Sequence, residues 1–270
     1  WFGSKSNGLT RLRQDATRNY GTALGLVDPF VWTVAVADDR LYVGHNQGLA
    51  EFRDHRFVQI KNSELLPNRV VYTLFFDRQK RWWIGTRGGL VLATIENDTI
   101  SIINDFPGLA HTQINGIVED NKNNVWIASY DGLYRFANGK LESFADKAGL
   151  KSRKIRFVYI DSHDQLWVGS EQGLYKLVDA EFVLVGDEKL KRAHITHIAE
   201  SADKSKIVVG TFQSGFALLQ ENKVDWFDPE RGVPTKSALY IQPIKAAMLV
   251  ANTDGIYILP EADLETNAEL

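Results

Sequence analysis

The sequence predicts an all-β protein, a seven-bladed β-propeller of four-stranded antiparallel blades. A short motif recurs seven times: an aromatic or apolar residue, a second apolar residue, Gly or Ala, and a polar loop that ends in Gly. The loop glycines are Gly8, Gly48, Gly89, Gly132, Gly173, Gly215 and Gly255, which lie 40, 41, 43, 41, 42 and 40 residues apart. Repeats of about 40 to 45 residues with four strands each are typical of propeller blades.

One repeat, residues 155–185, shows the predicted elements in order. An inner apolar run at 155–160 is followed by a polar turn, a second run at 166–169, a loop to Gly173, and two further β-rich runs at 174–177 and 181–185. Four short runs joined by brief turns predict an antiparallel meander. Because the inner runs are apolar at successive positions, each sheet is expected to be covered on both faces by its neighbours.

The aromatic residue and the Gly of each motif are expected to serve blade packing. In copies such as Trp83 to Gly85 and Trp167 to Gly169 the two residues are two positions apart, so they share one face of a strand. We expect the ring to pack against the neighbouring blade, while the missing side chain of Gly makes room for that blade. The same reasoning places Trp83, Trp126 and Trp167 at equivalent positions between blades.

The two ends of the repeat pattern are incomplete. The chain opens at Trp1 with the second strand of a blade, and no clear outer strand follows the last repeat. The expectation is therefore a propeller truncated at both ends, in a piece of a larger protein. The predicted domain covers residues 1–259, and residues 260–270 are expected to be a polar tail or linker.

The composition excludes several function classes. A net charge of -3 without a basic stripe gives no reason to expect nucleic acid. The sequence contains no run of about 18 apolar residues, so the domain itself is not expected to insert into a membrane. The absence of cysteine excludes disulfides, thiol catalysis and thiolate metal sites.

The candidates for catalysis and metal binding favour a structural interpretation. Four aspartates recur at the end of the inner strand, and a residue that every blade repeats is expected to serve every blade, here by accepting hydrogen bonds from its own turn. They are Asp38, Asp77, Asp120 and Asp161. The six histidines do not converge with carboxylates in the sequence. No catalytic residue, metal site or cofactor is predicted.

The positions that differ between blades are the candidates for recognition. Two residues before the loop glycines stand Ser6, Asn46, Arg87, Tyr130, Glu171, Gln213 and Thr253. A mainly basic set lies near the starts of the inner strands: Arg69, His111, Arg153, Arg192, His194 and Lys236. Two interpretations are open for it, attraction of an acidic sugar or another anion, or simple balance of the charge of the acidic tail. Solvated loop tips and ligand-binding residues both fit these positions. The predicted ligand-binding residues are Asn46, Arg87, Tyr130, Glu171, Phe212, His111 and Arg153.

The residues of the full repeat resemble those of a known repeat family. One copy comprises Phe144, Ala148-Gly149-Leu150, Ile155, Val158, Asp161, Leu166-Trp167-Val168-Gly169-Ser170 and Gly173-Leu174. This unit resembles the two-component regulator propeller repeat, and the resemblance extends over the whole chain. It implies a periplasmic sensor domain tethered to the inner membrane, with a cytoplasmic histidine kinase or diguanylate cyclase and a homodimer in the full-length receptor.

Three functions are open at this point. The favoured one is a non-catalytic sensor that binds a small-molecule or carbohydrate ligand at the mouth of the propeller. The second is a propeller enzyme, a lyase or a glycoside-active enzyme, in which His45, Glu171 and His111 would supply the chemistry. The third is a protein-binding scaffold, since fold does not imply function.

Overall fold

The computed structural model describes residues 1–4, 7–12, 17–144, 149–221, 223–244, 247–252 and 255–260. Within these ranges the regular structure consists of 26 β-strands in seven sheets and five 3-10 helices of three residues each. Five sheets have four strands and two have three, as the repeats predict. The fold class is therefore confirmed as a seven-bladed β-propeller with four-stranded antiparallel blades.

The chain divides into two compact units, Trp1–Ile117 and Val118–Leu270. Three sheets lie entirely within the first unit. Their strands are β1 (Phe2–Gly3), β2 (Leu9–Leu12) and β3 (Thr17–Tyr20); β4 (Val31–Ala37), β5 (Arg40–His45), β6 (Gly48–Arg53) and β7 (Arg56–Gln59); and β8 (Val71–Phe76), β9 (Trp82–Thr86), β10 (Gly89–Glu96) and β11 (Thr99–Asp105). Its 3-10 helices are Thr22–Leu24, Ser63–Leu65 and Pro107–Leu109.

The fourth sheet begins with β12 (Ile114–Glu119), and the second unit holds the strands that follow. They are β13 (Val125–Ser129), β14 (Gly132–Ala137) and β15 (Lys140–Ser143); β16 (Ile155–Ile160), β17 (Leu166–Ser170), β18 (Gly173–Val178) and β19 (Glu181–Val185); β20 (His194–Glu200), β21 (Ile207–Phe212), β22 (Phe216–Gln220) and β23 (Lys223–Phe227); and β24 (Tyr240–Ile244), β25 (Ala247–Ala251) and β26 (Ile256–Pro260). Its 3-10 helices are Leu190–Arg192 and Pro229–Arg231.

The first and last sheets have the strands that the sequence predicts. The first sheet has the order β1-β2-β3, and β1 carries the apolar residue and Gly of the motif, so it corresponds to the second strand of the other blades. The last sheet has the order β24-β25-β26. Strand β26 ends at Pro260, and the rest of the predicted tail, residues 261–270, lies outside the described residues.

The packing between blades follows the Trp and Gly pattern. Trp83, Trp126 and Trp167 are 0%, 3% and 6% exposed, as expected for rings between sheets. A Cβ atom added to Gly85 would lie 2.7 Å from Cγ2 of Ile114, in the inner strand of the next blade. Neighbouring sheets approach so closely there that a methyl group does not fit without a shift.

The loops between the second and third strands lie beside the segments that lead into the next inner strand. The backbone N–H of Gly173 donates to the carbonyl of Ala193 at 2.8 Å, and the N–H of Gly215 donates to the carbonyl of Lys236 at 2.7 Å. Gly173 has a φ of 96°, and a Cβ there would lie 2.6 Å from the carbonyl oxygen of Lys191. Loop tips and strand starts therefore share one edge of the blade, as the sequence analysis assumed.

Candidate functional site

The recurring aspartates hold the tryptophan of their own blade. In each case a carboxylate oxygen accepts a hydrogen bond from the indole N–H, and the other oxygen accepts the backbone N–H groups of the turn. The pairs are Asp77 and Trp83 (2.9 Å), Asp120 and Trp126 (3.0 Å), and Asp161 and Trp167 (2.8 Å). The predicted structural role, acceptance of hydrogen bonds from the turn, is confirmed for these three residues. The hydrogen bond from the indole N–H was not predicted.

Asp38 does not share this role, so that prediction was wrong. The hairpin between β4 and β5 has a two-residue turn, in which Asp38 adopts a φ of 44°. Its side chain is 61% exposed and forms an ion pair with Lys80 at 3.2 Å. The turn that follows β8 is five residues long, from residue 77 to residue 81. Its first residue, Asp77, faces the core, whereas Asp38 in the shorter turn after β4 does not.

A β-bulge lies near the start of four inner strands. In β4, β8, β16 and β20 the pairing register with the following strand shifts by one residue, which leaves one residue without a partner. A bulge redirects one side chain and is common beside functional sites. The four unpaired residues are Trp32, Tyr72, Arg156 and Thr196. All four strands share the bulge, but the residue at the bulge differs from blade to blade. The fold therefore does not require a particular side chain at this position.

In the first unit, the bulged residues belong to an aromatic platform of Phe30, Trp32 and Tyr72. The Trp32 ring is 40% exposed, lies 4.4 Å from the Phe30 ring and meets the Tyr72 ring edge-on at 4.5 Å. The indole N–H of Trp32 donates to Oδ1 of Asn46 at 2.8 Å, and the amide of Asn46 donates to Asp28 at 3.3 Å. The predicted site residue Asn46 thus fixes the orientation of an exposed tryptophan.

Arg87 and His111, two other predicted site residues of the first unit, have exposed side chains on fixed backbones. The N–H of Arg87 donates to the carbonyl of Val70 and the N–H of His111 to the carbonyl of Gly88, each at 2.9 Å. His111 adopts a φ of 65°. Their placement is compatible with either solvated loop tips or recognition.

The second unit brings three predicted residues together with three others in what we call the Arg156 cluster. The Arg156 guanidinium donates to the hydroxyl of Tyr130 and lies 5.2 Å above its ring. Lys154 forms an ion pair with Glu171 at 3.3 Å. The His194 ring lies 5.7 Å from the ring of Phe212, which is 45% exposed. The cluster comprises Tyr130, Lys154, Arg156, Glu171, His194 and Phe212.

His194 experiences the charges of the whole cluster. Burial lowers the pKa of His194, the positive charges of Arg156 and Lys154 lower it further, and the negative charge of Glu171 opposes them. Among the described residues, Nε2 of His194 has no hydrogen-bond partner although it is buried. The cluster therefore combines a positive potential, a neutral imidazole at pH 7 and an exposed aromatic face.

The other basic residues near the strand starts are more dispersed. Arg153 and Lys236 are exposed in the second unit, and Arg192 is paired with Glu188 at 3.5 Å. Arg69 is exposed in the first unit. Of the predicted basic set, only His194 belongs to the Arg156 cluster, whose two cations come from positions that the sequence analysis did not single out.

His45, a candidate for catalysis in the sequence, is a structural residue. It is 0% exposed, its Nε2 donates to the side-chain oxygen of Gln59 at 3.2 Å, and its Nδ1 accepts the N–H of Gln47 at 3.1 Å. Burial lowers the pKa of His45, opposed by the hydrogen bond to Gln59. Both ring nitrogens are occupied, which leaves neither for a substrate proton.

Three groups of metal-ligand type meet at the opposite end of β16. One ligand atom each of Asp161, His163 and Glu200 lies within 4.8 Å of the others. Asp161 accepts the N–H of His163 at 2.9 Å, and Glu200 accepts the Ser162 hydroxyl at 2.7 Å. These hydrogen bonds account for the carboxylates as part of the turn. The sequence does not reveal this grouping, because Glu200 belongs to the next blade.

The four residues at the β-bulges were not predicted as site residues, although they share one position in the repeat. Trp32, Tyr72, Arg156 and Thr196 each follow directly after the first buried aliphatic residue of an inner strand. In β16, Arg156 interrupts an otherwise apolar run, and a polar residue at a predicted core position is unexpected unless it is functional. Comparison of this one position across the blades would have identified all four.

The fold and the repeated motif define the class of protein as a seven-bladed β-propeller built from sequence repeats. The family model described as two component regulator propeller matches residues 65–88 and 108–131. The predicted resemblance is therefore confirmed over these two segments. A sequence comparison with curated proteins found no match.

Solved structures with the same fold belong to proteins of different functions. PorZ, an essential surface component of the type-IX secretion system of Porphyromonas gingivalis, is 16% identical with a TM-score of 0.68, over 85% of this chain and 38% of PorZ. The extracellular domain of the putative one component system BT4673 from B. thetaiotaomicron is 17% identical with a TM-score of 0.52, over 96% of this chain and 44% of that one. The chain thus spans less than half the length of either protein.

A third structure is an enzyme. A catalytically inactive variant of virginiamycin B lyase from Staphylococcus aureus, solved with quinupristin, is 12% identical with a TM-score of 0.61, over 85% of this chain and 84% of the lyase. At these identities the three likenesses show the fold alone. Among the described residues, no helix is long and apolar enough to cross a membrane.

Proposed function

We propose that this chain is the ligand-sensing propeller of an extracytoplasmic bacterial receptor. In this proposal the domain is not catalytic, is tethered to the inner membrane in the periplasm, and passes a binding signal to a cytoplasmic histidine kinase or diguanylate cyclase. The observation that carries it is the Arg156 cluster, in which non-repeating residues of consecutive blades converge on a regular scaffold. The two component regulator propeller repeats support the choice of a sensor.

The chemistry of the cluster favours an anionic ligand with an apolar face. Arg156 is held by Tyr130, so its guanidinium is oriented before a ligand arrives. A preorganised Arg is well suited to a carboxylate, and little side-chain entropy remains to be lost. The exposed ring of Phe212 offers a flat surface for the apolar face of a sugar or another ring. An acidic carbohydrate or a small carboxylic acid satisfies both features.

Acid and base catalysis fits the cluster less well. A general acid and a general base need environments that separate their pKa values. Glu171 is neutralised by Lys154 at 3.3 Å, and the nearby cations disfavour protonation of His194. One observation supports the alternative of a propeller enzyme: Nε2 of His194 has no hydrogen-bond partner among the described residues, and Glu171 is close enough for its charge to act on the ring.

The location is supported by the comparisons. The BT4673 structures are extracellular domains of a putative one component or hybrid two component system. In the full receptor, a homodimer would transmit the signal across the membrane. A protein-binding scaffold is less favoured, because the Arg156 cluster places charged groups and a buried imidazole where a protein interface is usually depleted of charge.

Isothermal titration calorimetry with digalacturonic acid, and with maltose as the neutral comparison, tests this function. Arg156→Met and Phe212→Ser should weaken binding of digalacturonic acid at least tenfold, about 1.4 kcal/mol. The matched control is Lys223→Ala, which removes an exposed cation of β23 that is 78% accessible. Mass spectrometry of the incubated ligand should detect no product.

Two results would contradict the proposal. Conversion of the ligand, abolished by His194→Gln, would establish the enzyme alternative. Equal binding by the wild type, Arg156→Met and Phe212→Ser would remove the Arg156 cluster as the recognition site. Circular dichroism of each variant separates a loss of recognition from a loss of folding.

A further inference from the structure

A polar cavity of about 340 Å³ lies in the first unit, between the second and third blades. It is separate from the residues that the sequence analysis singled out. Its charged and polar lining comes from β5, β6 and the turn between β10 and β11: Arg40, Tyr42, Glu51, Arg53, Asn97 and Asp98. Two cationic and two anionic groups therefore line a space of the size that small ligands occupy.

The walls of the cavity are fixed by bonds between the two blades. Arg53 donates to both carboxylate oxygens of Asp98, at 2.9 and 2.6 Å. The backbone N–H of Lys61 donates to the carbonyl of Asp98 at 2.7 Å, and the N–H of Ile100 donates back to the carbonyl of Lys61 at 3.1 Å. The turn that carries Asn97 and Asp98 is thus tied to the second blade on two sides.

Glu51 is the unusual member of the lining. It is only 3% exposed, and its carboxylate accepts no hydrogen bond from the described residues. The described cation that pairs with it, Arg53, lies 3.6 Å away and directs its short hydrogen bonds to Asp98. A buried carboxylate without hydrogen bonds is costly, and such groups are normally paired. Glu51 therefore offers an unused acceptor to a positively charged donor.

Arg40 and Tyr42 provide the complementary half of the site. Arg40 is exposed and lies two residues before Tyr42 on the same face of β5, and Tyr42 is 5% exposed. Burial raises the pKa of Tyr42, with a further contribution from the charge of Glu51. The hydroxyl therefore stays protonated at neutral pH and can donate to an anion, as can the guanidinium.

We propose that this cavity binds a small zwitterion of the amino acid class. Its ammonium group would donate to the carboxylate of Glu51, and its carboxylate would accept hydrogen bonds from Arg40 and the hydroxyl of Tyr42. A cation alone would leave the guanidinium of Arg40 unused, and an anion alone would leave the carboxylate of Glu51 with its distant ion pair to Arg53 and no hydrogen bond. The site is independent of the Arg156 cluster, which consists of residues of the second unit.

Binding of L-serine, L-glutamate and L-lysine, measured by saturation-transfer NMR and calorimetry, tests the proposal. Ethanolamine and acetate each carry only one of the two required charges. We expect at least one amino acid to bind, and both single-charge compounds to bind at least tenfold more weakly, about 1.4 kcal/mol. Glu51→Gln should abolish binding of the amino acid, and Arg40→Gln should weaken it at least tenfold.

Arg56→Gln is the matched control, because Arg56 is an exposed arginine of β7 outside the cavity lining. It should bind like the wild type. Glu51→Gln keeps the shape of the side chain and removes a buried charge, so its Tm should not fall; Arg40→Gln provides a second test at an exposed position. Absence of binding by all three amino acids would overturn the proposal, as would equal binding of ethanolamine or an unchanged affinity in Glu51→Gln.

Discussion

The indole N–H of Trp83 donates a hydrogen bond to Oδ2 of Asp77 at 2.9 Å, and both residues are buried. The same carboxylate accepts the backbone N–H of Arg81 at 2.9 Å and its guanidinium at 2.8 Å. One aspartate therefore closes the turn between the first two strands of the blade and orients the ring that packs between blades. This double role explains why Asp and Trp recur together.

Asp77→Ala should destabilise the protein by about 2 to 4 kcal/mol, because it leaves the indole, the turn N–H and Arg81 without their acceptor. Asp38→Asn is the control and should change stability by less than about 0.5 kcal/mol, since Asn tolerates the φ of 44° that Asp38 adopts and the bond of Asp38 to Lys80 is on the surface. Urea unfolding of both variants measures the difference. Equal losses would place Asp38 and Asp77 in the same structural role.

Gly85→Ala should destabilise the protein by about 1 to 3 kcal/mol, because the new methyl group would lie 2.7 Å from Cγ2 of Ile114. Thr73 also contacts this position, so Thr73→Ser in the same chain should restore part of the loss. Thermal unfolding of the two single variants and the double variant completes the cycle. Strict additivity of the two changes would show that the crowding is relieved elsewhere.

His197 should make stability depend on pH. Its ring lies between Phe157 and Tyr240, 4.3 Å from each, and burial lowers the pKa of His197 to about 3, against a smaller opposing effect of the backbone of Ile241. Between pH 3 and 6.5 the unfolded chain binds the extra proton, so the free energy of unfolding falls as the pH falls, by up to about 1.4 kcal/mol per pH unit.

His197→Phe keeps a ring in the stack and removes the titration, so its unfolding free energy should depend less on pH over this window. The control is His163→Gln, because His163 is exposed in the turn after β16. Urea unfolding between pH 4 and 7.5 compares the three proteins. A slope that is the same in the wild type and His197→Phe would show that the imidazole is protonated in the folded state.

The repeated features of the fold were predictable from the sequence, because every blade has to solve the same packing problem. Trp167, Gly169 and Gly173 recur at fixed spacing, and each has the contact that its spacing predicts. The error at Asp38 arose from a difference in turn length, which residue identity does not reveal when two aspartates follow one another.

The candidate site was predictable only in part. Tyr130 and Glu171 were found because they occupy the variable position two residues before the loop Gly, and Phe212 because it neighbours that position in the sixth copy, whereas Arg156 was missed. The register shift between Ile155 and Phe157 redirects Arg156, and simple alternation along the strand does not include such a shift. Register is set by pairing with the next strand, so the direction of the Arg156 side chain becomes visible only in the folded sheet, although its position in the repeat can be read from the sequence.

The last prediction concerns ligand binding at the Arg156 cluster and rests on the proposed function. Burial, Arg156 and Lys154 lower the pKa of His194 in the free protein, while Glu171 acts in the opposite direction. A bound carboxylate would add negative charge and raise this pKa again. Binding should therefore take up a proton, and affinity should rise as the pH falls through the window between the free and bound pKa values.

For digalacturonic acid we expect the dissociation constant to fall as the pH is lowered from 7.5 towards 4.5, by at most about tenfold for each unit by which the bound carboxylate raises the pKa of His194. Calorimetry in two buffers with different ionisation enthalpies should detect the proton taken up. His194→Gln should bind with little dependence on pH, whereas Arg156→Met should lose affinity at every pH. If affinity is constant with pH while Arg156→Met still abolishes binding, the ligand contacts the guanidinium without approaching His194.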